Sequence, residues 1–309
     1  MMLAPPASDS TAGGAIPGSD GESAFTLHAD PASPIPVLIA VPHAGRTYPP
    51  ALLTALREPE RAALRLEDRH ADALGEAVAR ETGAALIVAH APRAMLDLNR
   101  AADDVDWEMV EGGAPLFHGR GPASRRARSG LGLVPRRLPG LGELWRGRLP
   151  RAELEARIAQ VHAPYHARIA AELGRLRARW GAALLLDLHS MPPLAQGGAE
   201  YVIGDRFGAT ADGGLVAAGF SYFAEAGRRV AHNRPYAGGH ALERHAAPRR
   251  GVHALQLEVC RRAYLDTALR ETGPRFAQTV TVVAGLVRRL AAETALLGGG
   301  AAACREAAE

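Results

Sequence analysis

Short apolar runs recur along this chain, separated by segments of helical spacing, and that alternation leaves few folds open. The runs cover residues 36–41, 84–89, 182–188, 199–203 and 252–259. Several are apolar at consecutive positions and so have no face to offer water. A strand of that kind must be covered on both sides. Helical patterns fill the gaps, at residues 59–81, 151–180, 209–226 and 274–297. Pro164 is expected to divide the second of these into two helices, and Gly298 to Gly300 to end the last. Strands and helices in alternation predict an α/β fold with three αβα layers and a central, mainly parallel sheet.

Composition bears on the remaining segments. The chain has 309 residues, 47% of them hydrophobic, enough for one large domain with a substantial core. Residues 1–33 are rich in Ala, Pro, Gly and Ser without a period and read as a disordered leader. The folded domain is then expected over 34–297, with a flexible tail over 298–309. Residues 101–150 hold many Gly, Pro and Arg. So long a segment without periodicity inside a domain suggests a functional loop such as a lid.

The same numbers exclude several function classes. Net charge is only +3, every basic residue is an arginine, and the densest basic stretch, Arg125 to Arg148, is interrupted by Gly, Pro and Leu. No nucleic-acid partner is expected from that pattern. No apolar run is long enough to span a bilayer, and no basic-then-apolar leader marks secretion, so a cytoplasmic protein without a membrane partner is expected. Cys260 and Cys304 are too few for a disulfide framework or a thiolate metal site. Ser190 lacks the G-x-S-x-G turn of a serine nucleophile, and Cys260 has no histidine near it in sequence. Nothing in the sequence speaks to oligomeric state.

What the runs have in common is how they end. The first leads into Pro42-His43-Ala44-Gly45, the second towards Arg93 and then Asp97-Leu98-Asn99-Arg100. The third ends in Asp187-Leu188-His189-Ser190, and the last carries Gln256-Leu257-Glu258. Ligands of open α/β sheets bind beyond the carboxyl ends of strands, so these clusters are expected to meet in one cleft. His43 and His189 each follow a buried run. A carboxylate from Glu67, Asp68 or Asp72 would complete a two-histidine, one-carboxylate zinc shell with a position open to water. Glu258, set in an otherwise apolar strand, is the candidate proton carrier. Singly, each residue has a structural reading as well: a packed histidine, a helix cap, a buried ion pair with arginine.

Seven segments in order, VPHAGRTYP (41–49), LEDRHAD (66–72), PRAMLDLNR (92–100), LLLDLHSMP (184–192), YVIGDRFG (201–208), HNRPYAGGHALERH (232–245) and GVHALQLEVCRRAYL (251–265), resemble the N-formylglutamate amidohydrolase family. The resemblance runs from about residue 36 to about residue 290. It implies a fold like that of zinc carboxypeptidases and aspartoacylases, with a central mixed sheet flanked by helices, and metal-dependent hydrolysis of an N-acyl amide. By this resemblance His43, Asp68 and His189 hold one zinc ion or another divalent metal, and Glu258 acts as general base with Arg100 beside it. Arg93, Asn99, Arg100, Asn233 and Gly239 are then expected to meet a small anionic N-acyl amino acid. His245 is expected in the acyl pocket, behind the ligands, or as packing.

The chemistry agrees with the resemblance, because a formylated acidic amino acid carries two carboxylates and arginine grips a carboxylate with two parallel bonds. The competing readings are a zinc carboxypeptidase or another N-acyl-amino-acid hydrolase, and a non-catalytic binder of anionic metabolites.

Overall fold

In the computed structural model, residues 9–114, 124–195 and 197–299 are described. An eight-stranded sheet is built from β1 (Asp9–Gly13), β2 (Phe25–Ala29), β3 (Val37–Val41), β4 (Ala85–Ala89), β7 (Ala183–Met191), β8 (Tyr201–Gly204), β9 (Val230–His232) and β10 (Val252–Cys260). A separate two-stranded ribbon pairs β5 (Arg137–Leu138) with β6 (Gly142–Glu143). The large sheet runs β1-β2-β4-β3-β7-β10-β8-β9. Its centre, β4-β3-β7-β10, is parallel throughout; β2 joins β4, and β8 joins β10, antiparallel. The sheet is mainly parallel, as the apolar runs predicted, and mixed, as the resemblance implied.

Its helices are α1 (Pro50–Ala55), α2 (Pro59–Leu66), α3 (Ala71–Thr82), α4 (Arg125–Arg128), α5 (Arg151–Arg157), α6 (Ala163–Trp180), α7 (Gly213–Glu225), α8 (His240–His245), α9 (Arg261–Tyr264) and α10 (Phe276–Leu297). In β3, Val37, Ile39 and Val41 face a core built with α3, α7 and α10. Leu38 and Ala40 face a second core built with α1, α2, α5, α6 and the segment after β4. Period-two alternation thus serves two apolar layers, and this is why β3 has no exposed position. Helix α3 lies close against the sheet because Gly75 faces it; a methyl there would sit 2.9 Å from Val41 Cγ2. No helix among the described residues is long and apolar enough to cross a membrane.

Three expectations need correction. First, residues 9–29 are not a disordered leader. β1 and β2 form the edge of the sheet, with Phe25 and Leu27 each only 3% exposed. FTLHA alternates with period two, and that local pattern overrides the Pro/Gly/Ser-rich surroundings. Residues 1–8 and 300–309 of the expected leader and tail lie outside the described residues.

Second, residues 59–81 form two helices. The chain leaves helical geometry over 67–70, with His70 left-handed at φ 55°. Tertiary partners claim the backbone there: Asp68 N–H donates to His43 O at 2.9 Å, and Arg261 Nη2 donates to Glu67 O at 2.6 Å.

Third, the long amphipathic pattern does divide into two helices, α5 and α6, but not at Pro164. That proline sits in the first turn of α6, where its missing N–H is harmless, and the irregularity is a π-helical turn over Ile158–His162. The segment 101–150 also carries more structure than its composition suggests. Buried Val105, Val110, Leu133 and Trp145 anchor it to the sheet, although 115–123 fall outside the described residues.

Candidate active site

The polar ends of the strands do meet. In β7 and β10 the apolar alternation continues on the α3/α7/α10 face, through Leu186, Leu188, Leu255 and Leu257. On the opposite face it gives way to Asp187 and His189, and to Gln256 and Glu258. Parallel pairing sets Asp187 beside Gln256 and His189 beside Glu258. His43 arrives from the end of β3 and Asp68 from the break between α2 and α3. All four of His43, Asp68, His189 and Glu258 are 6% exposed or less.

His43, Asp68 and His189 each offer a ligand atom within 4.8 Å of the others. Asp68 Oδ2 lies 3.2 Å from His189 Nδ1 and 3.5 Å from His43 Nδ1. The far side of each ring is fixed. His43 Nε2–H donates to Asp97 Oδ1 at 2.7 Å and His189 Nε2–H donates to Asp187 Oδ2 at 2.8 Å, since a carboxylate only accepts. Both imidazoles therefore turn Nδ1 lone pairs towards a carboxylate oxygen. Three acceptors facing one another in a buried space need a cation, whether a proton or a metal ion. His43 Nδ1 is buried without a hydrogen-bond partner. Rings steered by carboxylates in this way are a recurrent metal-site arrangement, and the donor set of two imidazoles and one carboxylate suits a divalent transition ion.

Charge follows the same geometry. Burial alone pushes the Asp68 carboxyl up, yet His189 and His43, when a proton rather than a metal ion sits on Nδ1, hold it well below the usual carboxylate range. Asp97 is likewise disfavoured by burial but held well below that range by the Arg93 guanidinium and His43. Glu258 goes the other way. Burial, opposed by His189 and assisted by Asp68, pushes its carboxyl up to about 7. Gln256 Nε2 donates to Glu258 Oε1 at 2.9 Å, which leaves Oε2 for other work.

These groups line a cavity of about 450 Å³ that also receives Arg65, Arg93, Arg100, Arg126 and Arg261. Arg93 grips Asp97 through two nitrogens, at 3.0 and 2.8 Å, and so supports the residue that orients His43. Arg261 donates to Ser190 Oγ at 3.1 Å, and Ser190 donates to Asp68 Oδ1 at 3.0 Å. Arg100 is anchored by backbone carbonyls, Nη1 to Asn99 O and Nε to Leu131 O. Among the described residues, no hydrogen bond or ion pair engages the guanidinium of Arg126, which is exposed on α4.

Several expected site residues stand elsewhere than the sequence suggested. Asn99 lines the cavity, but its Oδ1 accepts from Ala241 N–H at 2.9 Å and its Nδ2 donates to Asp187 Oδ2 at 3.3 Å. It positions the cleft wall. Gly239 also lines the cavity, and a methyl there would lie 2.4 Å from Asn99 Oδ1. Asn233 is not among the lining residues. It donates to Asp205 Oδ1 at 2.7 Å and accepts from Asp205 N–H at 3.0 Å, which stabilises the turn after β9. His245 faces His166, away from any acyl pocket. Of the three carboxylates left open, Glu67 accepts from Tyr48 and Arg69, and Asp72 pairs with Arg46 at 2.5 Å, which leaves Asp68. From sequence, Asp97, Asp187 and Ser190 belong to the converging polar clusters but have no role as partners of the ligands, and Arg126 and Arg261 have none at all. The spacing of Asp187 and His189, two apart on one strand face, was the available signal.

Fold and site together define an αβα protein of the hydrolase type, with a two-histidine, one-aspartate centre at the carboxyl ends of parallel strands. The chain belongs to the N-formylglutamate amidohydrolase family, whose model matches residues 35–265. It is 36% identical over 241 residues to the N-formylglutamate deformylase of Pseudomonas aeruginosa, covering 75% of this chain and 83% of that protein. With the Pseudomonas putida enzyme of the same name it shares 32% identity over 75% of this chain and 82% of that one. The crystal structure of N-formylglutamate amidohydrolase from Ralstonia eutropha JMP134 superposes with a TM-score of 0.78 at 32% identity, covering 87% of this chain and 98% of that one.

Proposed function

We propose that this chain hydrolyses the formyl amide of N-formyl-L-glutamate, giving glutamate and formate, with a divalent metal ion, zinc first, held by His43, Asp68 and His189. The observation that carries this reading is the facing set of two Nδ1 lone pairs and the Asp68 oxygen, with Glu258 beside them in an arginine-lined cavity. The relatives' names supply the substrate.

A divalent ion held there supplies Lewis-acid activation of water and of the formyl carbonyl. The protein's own groups do the rest. Glu258, with Oε1 held by Gln256, takes the water's proton on Oε2 and delivers it to the departing nitrogen as the C–N bond breaks. A carboxyl raised to about 7 serves both directions of transfer near neutrality. Arg100, whose Nε lies 4.0 Å from Asp97 Oδ2, and Arg126 both line the cavity and receive the substrate's carboxylates. Arg100, which lines the cavity, would also meet the negative charge that develops on the formyl oxygen. Asp97 and Asp187 hold the imidazoles and keep each Nδ1 free.

The test is formate release by metal-free protein before and after zinc is restored, with formyl, acetyl and succinyl derivatives of glutamate compared side by side. Zinc should restore turnover of the formyl compound. Glu258→Gln should lower kcat by about 10²–10⁴-fold while zinc still binds. Unchanged turnover in that variant would remove Glu258 from the mechanism. A purified chain indifferent to every divalent ion would favour an anion-binding protein instead.

A further inference from the structure

Four histidines without a part in this hydrolysis pack beneath the turn that carries Asn99 and Arg100. His162 closes the π-helical turn and His166 follows it in α6, while His240 and His245 are the first and last residues of α8. None of them lines the cleft. Ring centroids are 4.4 Å apart for His162 and His166, 5.4 Å for His166 and His240, and 6.0 Å for His162 and His240. We propose that His162, His166 and His240 form a second metal site, which takes a borderline divalent ion such as zinc and ties α6 to α8.

The first support is geometric: a ring nitrogen from each of the three lies within 4.8 Å of the others. The second is the direction of the lone pairs. His162 Nε2 lies 2.8 Å from Arg100 O and His166 Nε2 lies 3.0 Å from Leu98 O. A carbonyl only accepts, so both rings carry the proton on Nε2 and present a bare Nδ1, as ligating histidines do. The third is His240, whose Nε2 is buried and has no hydrogen-bond partner among the described residues. Such an atom is costly unless something meets it. Burial also keeps the cluster uncharged, lowering all three imidazoles, His240 to about 4. Neutral imidazole is the form that binds metal, and an all-imidazole set favours zinc, copper or nickel over magnesium or calcium.

One contact opposes the ion. His245 Nε2 lies 2.9 Å from His166 Nδ1 and donates to it in the metal-free arrangement. Metal uptake must displace that bond, so this site binds less tightly than the centre at His43, Asp68 and His189. An ion here would brace the Leu98–Arg100 turn from behind through its two carbonyl contacts.

The experiment counts zinc. Protein stripped with a chelator, reloaded with excess zinc and desalted should carry two ions per chain by elemental analysis, one of them released first by a weak chelator. His240→Ala should carry one ion and still release formate. His43→Ala should carry one ion and release none. In the His43→Ala background, zinc should raise Tm and added cobalt should give visible absorption, and both effects should vanish in the His43→Ala/His240→Ala double variant. One ion in the wild type that is lost with His43→Ala overturns the proposal, as does a second ion that survives His240→Ala. Either result leaves the hydrolytic reading standing, because that reading depends on formate release and on the first ion alone.

Discussion

Two imidazole lone pairs turned on one carboxylate oxygen make His43, His189 and Asp68 dependent on a cation between them. Asp187 sets one of those rings through a 2.8 Å bond. Asp187→Asn keeps the volume but weakens that acceptor, and zinc affinity should fall about 10–100-fold in competition with a chelating dye. An unchanged affinity would mean that the strand backbone alone orients His189. Arg126 gives a second expectation at this scale. Its guanidinium is unengaged among the described residues and faces the same cavity as Arg100. Arg126→Ala should raise KM for N-formyl-L-glutamate by roughly 10–100-fold, the worth of a charge-assisted hydrogen bond, with kcat nearly unchanged. Preference over N-formyl-L-glutamine should narrow in the same variant. A preference that stays put would assign the side-chain carboxylate to another arginine.

At the scale of elements, the edge pair β1 and β2 is the informative case. Phe25 packs edge-on to Tyr165, with ring centroids 5.6 Å apart, and the strand pairs with β4. If residues 9–29 belong to the folded domain, Phe25→Ala should cost about 3–5 kcal/mol, read as a lower urea midpoint with an unchanged slope. A disordered leader would give no shift at all. The break between α2 and α3 works in the opposite sense. Its sequence has helical spacing, yet backbone bonds to His43 and Arg261 pull Asp68 out of the helix and into the centre. The local preference yields because His43, Arg261 and Tyr264 bond the backbone groups of Asp68, Glu67 and Arg69 that leave the helix.

For the molecule as a whole, buried neutral histidines couple stability to pH. His253 is 4% exposed and its Nδ1 accepts from Asp212 N–H, while His90 is half-buried. Burial lowers both imidazoles from the ordinary 6.5. The unfolded chain therefore binds protons below pH 6.5 that the folded chain refuses. Their contribution is complete above that value and declines as pH falls towards the folded-state values. Tm of the metal-stripped protein should drop between about pH 6.5 and 5.5. His253→Asn, which keeps an acceptor near the Nδ1 position, should show a shallower drop. An equal slope in the variant would shift the effect to other groups.

Read along the chain, apolar period and strand length determined the αβα class, the parallel centre of the sheet and the arrival of His43, His189 and Glu258 at one end of it. Those properties are local and repeat at short intervals, so sequence carries them. Resemblance favoured Asp68 among three neighbouring carboxylates without separating them physically. Tertiary structure alone decided which carboxylate faces the imidazoles, because Glu67, Asp68 and Asp72 are alike in chemistry and differ only in what stands across from them: Tyr48 and Arg69, the two histidines, or Arg46. It also decided that Asn99 and Asn233 bond to protein, and that Arg93 supports Asp97. Partners brought together from distant parts of the chain leave no period in a sequence, and a side chain's role here depends on the partner that reaches it first.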